Sequence, residues 1–366
     1  MRGKKVLVVD DSAFMRKLIT DFLSAHPELD VVATARNGKD AIIKVEKYQP
    51  DVMTMDVEMP EMDGLDALSH IMKHTPTPVV MLSSLTKEGA ETTLMAMERG
   101  AVDFIAKPSG TISLDLERIK DELIEKVLAA SEANIRPIAE PAAPQPSNLV
   151  IERENKSLRH PPKLSLKNRE GQRDKPLVVI GTSTGGPRAL QRVLTKLPAD
   201  LGAPVLIVQH MPAGFTKSLA QRLDSLSAIT VKEAQDGEVI RKNTAYIAPG
   251  NYHLKVKKAG ESLAVHLDQS PPVNGHRPSV DALFESVSAV DGFMKIAVIM
   301  TGMGADGAEG LMKMKELGKV RAIAESKDSC VVYGMPRAAI ATHLVDDVVA
   351  VNQIAATIEK YLPQKG

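Results

Sequence analysis

The chain contains no tryptophan, and so little phenylalanine and tyrosine that aromatic residues make up only 3% of it. Its interior must therefore be filled by Val, Ile, Leu, Ala and the 17 Met rather than by large rings. A single cysteine, Cys330, excludes an internal disulfide and favours a reducing compartment. It stands in Ser-Cys-Val-Val-Tyr with no activating neighbour, so it reads as a plain thiol in or near the core. An excess of either charge is missing too, since 46 Lys+Arg offset 46 Asp+Glu. That balance argues against a dominant nucleic-acid or anionic-membrane surface, while leaving room for a local basic groove. No apolar stretch approaches the ~18 residues of a membrane span. The amino terminus meets Asp10 and Asp11 after a short apolar run, too soon for a signal peptide. A soluble, cytoplasmic protein with no nucleic-acid partner and no membrane insertion is expected.

What remains is ordinary for globular proteins, with 43% hydrophobic and 25% charged residues. Disorder throughout is excluded, and 366 residues suffice for two domains, each burying its own core. In the first part, short apolar runs at 6–9, 31–35, 52–55, 79–82 and 104–106 alternate with helical patterns at 14–24, 39–47, 65–73, 88–99 and 114–130. Such alternation predicts a flavodoxin-like, five-stranded parallel sheet with helices on both faces, and ligands in such sheets sit beyond the carboxyl ends of the strands. Residues 1–130 form this body. From 131 to 174 the texture changes to scattered prolines, charges, Ser and Asn without period, which predicts a flexible linker with room for a short helix near 149–153. A second, larger α/β body spans 175–366. It has buried strands at 177–180, 205–209 and 296–300, helices at 188–197, 280–290 and 308–317, and a strand-rich insertion over 228–267.

Asp10 and Asp11 close the first strand and Asp56 closes the third, its neighbour in such a sheet. Three convergent carboxylates repel one another unless a hard divalent cation is present, and oxygen-only donors suit Mg²⁺. Ser83 closes the fourth strand, and Lys107 the fifth, followed by Pro108. A carboxylate nucleophile, a metal, a hydroxyl and an ammonium group can together accept a phosphoryl group. These residues, with Met59-Pro60, Asp63-Gly64 and Phe104, resemble the response-regulator receiver domain. The resemblance implies phosphorylation of Asp56 by a histidine kinase. It also implies a metal site of Asp10, Asp11, Asp56 and the Glu58 carbonyl, and a switch formed by Ser83, Phe104 and Lys107. Ser83 and Phe104 stand where many receivers have Thr and Tyr.

In the second body, Gly181-Thr182-Ser183-Thr184-Gly185-Gly186-Pro187 joins a strand to a helix. Glycines permit the tight turn, and Pro187 suits a first helical turn. A serine there points out of the sheet beside unpaired N–H groups, as a nucleophile; the same turn could instead cradle a phosphate. The absence of a Gly-Lys-Ser/Thr ending argues against a nucleotide triphosphate loop. For a relay, His210 follows the next strand, and Asp306 lies in Thr301-Gly302-Met303-Gly304-Ala305-Asp306-Gly307 after another. Backbone N–H groups of Met303 and Thr184 could face a developing oxyanion. Gly-Thr-Ser-Thr-Gly also fits the Gly-x-Ser-x-Gly elbow of α/β-hydrolases, whose chain order would recruit His343 instead. His343 has no glycine-rich turn around it, and His210 is preferred.

These motifs, with Gln209-His210-Met211-Pro212, Ala248-Pro249-Gly250 and His276-Arg277-Pro278-Ser279-Val280-Asp281, resemble the catalytic domain of the chemotaxis protein-glutamate methylesterase family (CheB). A receiver followed by this domain is that family's architecture. The resemblance implies Ser183 as nucleophile, His210 as base, Asp306 as orienting acid, and glutamate γ-methyl esters on chemoreceptor cytoplasmic helices as substrate. Deamidation of receptor glutamines, and a receiver lying over the catalytic face, are implied as well. Mg²⁺ would serve the receiver, and the esterase reaction would need no cofactor. Arg277, in a proline-framed loop, is a candidate contact to an acidic receptor segment; the plainer reading is that it braces the loop. Two other classes stay open on the residues alone: a non-enzymatic receiver–adaptor and a nucleotide-binding regulator.

Overall fold

A computed structural model describes residues 3–107, 115–135 and 175–363. The expected helix near 149–153, most of the linker and Pro108 lie outside the described residues.

The first body runs β1 (Lys4–Val9), α1 (Ala13–Ser24), β2 (Leu29–Ala35), α2 (Gly38–Tyr48), β3 (Val52–Asp56), α3 (Gly64–His74), β4 (Val79–Ser83), α4 (Lys87–Glu98), β5 (Asp103–Ala106) and α5 (Asp115–Ser131). Side-chain caps start four of these helices, from Ser12, Asn37, Asp63 and Thr86. The sheet is parallel in the order β2-β1-β3-β4-β5, which reverses direction at β1 and opens a crevice between β1 and β3. Both faces are covered, so β3 and β4 are buried at every residue.

The second body runs β6 (Lys175–Thr182), α6 (Gly186–Leu194), β7 (Val205–Gln209), α7 (Phe215–Asp224), β8 (Thr230–Glu233), β9 (Thr244–Ile247), β10 (His253–Ala259), β11 (Ser262–Asp268), α8 (Val280–Ser288), β12 (Phe293–Ile299), α9 (Ala308–Leu317), β13 (Val320–Glu325), α10 (Met335–Ala341), β14 (Asp347–Val349) and α11 (Val351–Tyr361). Its seven-stranded parallel sheet has the order β14-β13-β12-β6-β7-β9-β8, with β6 central.

The expected strand-rich insertion needs correcting. β8 and β9 join the main sheet as parallel strands, and only β10 and β11 stand apart, as an antiparallel hairpin. Strands of only four residues carry the same local pattern whether they pair in a hairpin or in a parallel sheet, and only tertiary pairing separates them. The sequence reading also assigns nothing to α7, β13, β14 and α11, which complete the sheet and its helical cover.

The two bodies pack together. One cluster of buried apolar side chains passes from Met55, Leu94, Met97 and Phe104 of the first into Leu190, Phe215, Leu219 and Leu223 of the second. Phe104 and Phe215 stack across the boundary with ring centroids 4.5 Å apart. Arg222 on α7 grips the Glu98 carboxylate on α4 with Nε at 2.8 Å and a terminal nitrogen at 3.0 Å. The backbone N–H of Asn134, just past α5, donates to the Val331 carbonyl at 3.0 Å.

Phe215→Ala should remove a fully buried ring that both bodies use, lowering stability by about 3–5 kcal/mol. Denaturant unfolding checks the loss. Hydrogen exchange should also speed up in α4 and α7 while β1–β3 stays protected; unchanged exchange in α4 would show that the stack does not hold the bodies together.

Candidate active site

Pairing register brings the expected residues of the second body together. Thr182 on β6 lies opposite Gln209 on β7, so the next residues along, Ser183 and His210, leave the same sheet edge side by side. On the other side of β6, β12 ends opposite Gly181 and feeds the 301–307 loop that carries Asp306. Thr301 ties the loop to the serine turn. Its carbonyl accepts from the Ser183 N–H at 3.0 Å and the Thr182 hydroxyl at 2.9 Å, and its own hydroxyl donates to the Thr184 carbonyl at 2.9 Å. Gly302 permits this approach, because a Cβ there would lie 2.9 Å from the Ser183 Cβ.

The histidine is fixed from one side. His210 Nε2 lies 2.8 Å from Asp306 Oδ2, while its Nδ1 is buried without a hydrogen-bond partner. Among the described residues the Ser183 hydroxyl makes no hydrogen bond, a looseness common in resting sites. Asp306 is itself held at the start of α8. Its Oδ1 accepts from the Ser279 hydroxyl at 2.9 Å and the Asp281 N–H at 3.0 Å, and its Oδ2 from the Val280 N–H at 2.7 Å. Burial alone would raise its pKa, but His210 and these N–H groups hold it well below the usual carboxylate range. Asp281 returns the favour at the start of α9, accepting from Gly307 N–H at 2.9 Å and Gly310 N–H at 2.6 Å. Burial, with Asp306 nearby, pushes the Asp281 pKa upward.

His343 is exposed after the end of α10, with φ at 60°, and takes no part in the site. The glycines of the serine turn are accounted for by packing. A Cβ at Gly181 would strike Val280, one at Gly185 would strike Val331, and one at Gly186 would lie 1.9 Å from Gln209 Oε1. These glycines are required by close protein packing, so they need no bound phosphate to explain them. Arg277 donates to the carbonyls of Gln269 at 3.0 Å and Ser270 at 3.1 Å, so it braces its loop through backbone oxygens. Met303 stands partly exposed at the loop tip, and Thr184 is buried. Sequence reasoning missed two things. His276 stacks on His210, with centroids 3.9 Å apart and rings 15° from parallel. The Thr184 hydroxyl donates to Asp103 of the first body, which puts β5 against the residue after the serine. His276 was legible as a second histidine beside Arg277; the Asp103 contact had no local signal.

In the first body, oxygens of Asp10, Asp11 and Asp56 lie within 4.8 Å of one another. Lys107 Nζ reaches Asp56 Oδ2 at 2.6 Å and Asp10 Oδ2 at 3.0 Å. Burial raises the Asp56 pKa to about 6 against the lowering effect of Lys107, with Asp10 adding to the rise. Lys107 is raised despite burial, because both carboxylates favour its charged form. Three close carboxylates that offer only oxygen, with an ammonium group on two of them, fit a hard divalent cation such as Mg²⁺. The backbone N–H of Glu58 points to Asp56 Oδ1 at 3.4 Å. The Ser83 hydroxyl donates to the Gly89 carbonyl at 3.1 Å, away from Asp56.

Asp306→Asn replaces a double acceptor by a group with one acceptor and an N–H₂ facing buried donors. It should cost about 2–4 kcal/mol of stability at neutral pH. Because the folded pKa of Asp306 is depressed, its contribution is present above the unfolded value of about 3.9 and fades as pH falls below it. Urea unfolding at pH 7 and pH 3 should therefore show a gap between the two proteins that narrows on acidification; a constant gap would mean that the carboxylate charge is not what holds α8.

Comparison with known proteins places the chain in a family. Residues 178–358 match the family profile described as CheB methylesterase, and residues 6–117 match that of the response regulator receiver domain. A protein of Geobacillus kaustophilus named protein-glutamate methylesterase/protein-glutamine glutaminase is 58% identical over 358 residues, covering 98% of both chains. One of the same name from Bacillus subtilis is 51% identical over 356 residues and 97% of both chains. The crystal structure of the Thermotoga maritima CheB methylesterase catalytic domain covers 51% of this chain and 98% of its own, at 45% identity and a TM-score of 0.49.

Proposed function

The chain belongs to the protein-glutamate methylesterase/protein-glutamine glutaminase family with an amino-terminal receiver, and on that premise we propose that Ser183, His210 and Asp306 carry out its ester hydrolysis. The single observation behind the assignment is the His210 ring, anchored through Nε2 on Asp306 with its Nδ1 buried and unpartnered, on a residue that leaves the sheet edge next to Ser183. Nδ1 takes the Ser183 proton as Oγ attacks the γ-ester carbonyl of a receptor glutamate. The oxyanion that forms faces the N–H groups of Met303 and Thr184. Collapse transfers the proton from His210 to the departing methoxide, releasing methanol and leaving an acyl-enzyme. Water, deprotonated by the same nitrogen, hydrolyses it and restores Ser183. With a receptor glutamine the leaving group is ammonia and the acyl-enzyme is the same. The substrate is thus a chemoreceptor's cytoplasmic segment, the setting is the cytoplasm, and the output is chemotactic adaptation.

Asp56 is the phosphoacceptor for a histidine kinase. Asp10, Asp11, Asp56 and the Glu58 carbonyl would hold Mg²⁺, which supplies charge neutralisation for the incoming phosphoryl oxygens when bound. The receiver occupies residues 1–130, the linker 131–174 and the esterase 175–366. In the unphosphorylated protein the receiver restrains the esterase. Supporting this are the Asp103–Thr184 hydrogen bond beside the nucleophile and the Phe104–Phe215 stack. A phosphoryl group on Asp56 would draw Ser83 toward its oxygens and shift Lys107 from the carboxylate onto them, pulling on β5, where Phe104 and Asp103 lie.

Methanol release from a methylated receptor tests the reading. Ser183→Ala and His210→Ala should each lose on the order of 10⁴–10⁶ in rate, and His343→Ala should stay within about tenfold. Phosphodonor with Mg²⁺ should raise the wild-type rate, and Asp56→Asn should keep the basal rate and lose that gain. Turnover near wild type in folded Ser183→Ala would overturn the assignment and favour a non-enzymatic adaptor.

The acid pocket makes its own forecast. Carbon NMR of Asp56 in metal-free protein should show a carboxyl titrating at about 6. Added Mg²⁺ should move it lower, since a cation favours the ionised form. A metal-free midpoint near the ordinary carboxylate value would contradict the burial argument.

A further inference from the structure

We propose that His276 is a positioning residue for the esterase: its ring, stacked face to face on His210, holds the base with Nε2 on Asp306 and Nδ1 free for the serine. The inference rests on the Ser183–His210–Asp306 reading above and names a fourth side chain that this reading needs.

An imidazole anchored by one hydrogen bond still rotates about that bond. Among the described residues, the Asp306 contact is the only hydrogen bond of the His210 ring, since its Nδ1 lacks a partner. Nothing polar therefore fixes the tilt of the ring. The His276 ring, 3.9 Å away and 15° from parallel, supplies that restraint by contact.

The loop around His276 is built to keep it there. His276 and Val273 exchange backbone hydrogen bonds at 3.1 and 2.9 Å, Arg277 is clamped to the Gln269 and Ser270 carbonyls, and Ser279 donates to Asp306. The last contact ties the loop to the acid that orients the base, so both rings are referenced to one carboxylate. Charge follows geometry. The groups acting on His276 are His210, Asp306, Lys126 and Glu122, and burial first, then His210, lowers its pKa to about 4. A neutral ring can lie against the imidazolium that His210 becomes during attack, whereas a second cation would oppose it.

The test uses the full chain with phosphodonor and Mg²⁺, following methanol release from methylated receptor. His276→Ala should lower kcat by about thirtyfold with KM within about twofold, because lost positioning acts on the reacting geometry and not on binding. His276→Phe, which keeps an aromatic face without nitrogens, should recover kcat to within about fivefold of wild type, and His276→Gln should resemble Ala. The proposal is overturned if Ala keeps wild-type kcat, or if Phe is no better than Gln. The Phe and Gln pair decides the matter even where the Ala protein does not fold. Ser183→Ala, run alongside, separates this outcome from failure of the esterase reading: a dead Ser183→Ala with an active His276→Gln rejects only the stacking role.

Discussion

Two carboxylates exchanged between two helix starts hold the catalytic half in its working shape. Asp306, on the loop that leads into α9, accepts the first N–H groups of α8; Asp281, on α8, accepts the first N–H groups of α9. Each satisfies donors that a helix leaves unpaired, and each lies in the positive field of its partner. The exchange has a chemical consequence. A carboxylate held by three donors besides His210 stays ionised while buried, which an orienting acid must do if it is to stabilise an imidazolium. Since the same residue caps a helix and orients the base, the packing of α8 on α9 and the aim of His210 cannot vary independently.

Thr301 provides the other tie. Its backbone N–H is received by buried Glu325 at 2.9 Å, its carbonyl receives the Ser183 N–H, and its hydroxyl bridges Thr184 and Val332. Three loops from the ends of β6, β12 and β13 thus meet at one side chain. Burial raises the Glu325 pKa, and the carboxyl nonetheless has acceptor work for both oxygens, with Ser329 on the other. Cys330, in the same neighbourhood, is buried and its pKa is pushed upward, which makes it the inert thiol its sequence context suggested.

Legibility in the sequence followed the range of the interaction. The receiver sheet could be read because its strands are short apolar runs between capped helices, and Asp10, Asp56, Ser83 and Lys107 sit at strand ends. Ser183, His210 and Asp306 were legible for the same reason, as parallel strands deliver their next residues to one edge. The short runs at 230–233 and 244–248 read as strands, but their partners were not legible, because a four-residue strand looks the same whichever strand it pairs with. Nor could the pairing of Phe104 with Phe215, of Asp103 with Thr184, or of His276 with His210 be read. Each joins residues far apart in the chain, and a local motif, even the one that holds His276, does not name its distant partner. In a chain with six phenylalanines, committing two of them to one interdomain stack is a choice visible only in three dimensions.

The composition of that interdomain contact sets how it can be undone. A partly exposed ion pair such as Arg222–Glu98 contributes about 0–1 kcal/mol, an aromatic pair about 0.5–1.5 beyond its area, and a hydrogen bond such as Asp103–Thr184 about 1. Contacts of that size would not hold two separate molecules at cellular concentrations, but tethering at an effective concentration of order millimolar supplies the difference. Reversing a two-state balance from 1:99 to 99:1 takes about 5.5 kcal/mol. The polar and aromatic contacts together amount to about 1.5–3.5 kcal/mol of that, and two of the three begin on β5, a few residues before the lysine that faces Asp56. Lys126 reinforces the arrangement from α5, with its ammonium on the Phe104 carbonyl at 2.7 Å and near Asp103 at 3.5 Å. A movement of β5 driven from its carboxyl end would therefore strain the stack, the hydrogen bond and the lysine brace together, while the ion pair on α4, contributing least, would be left to yield on its own.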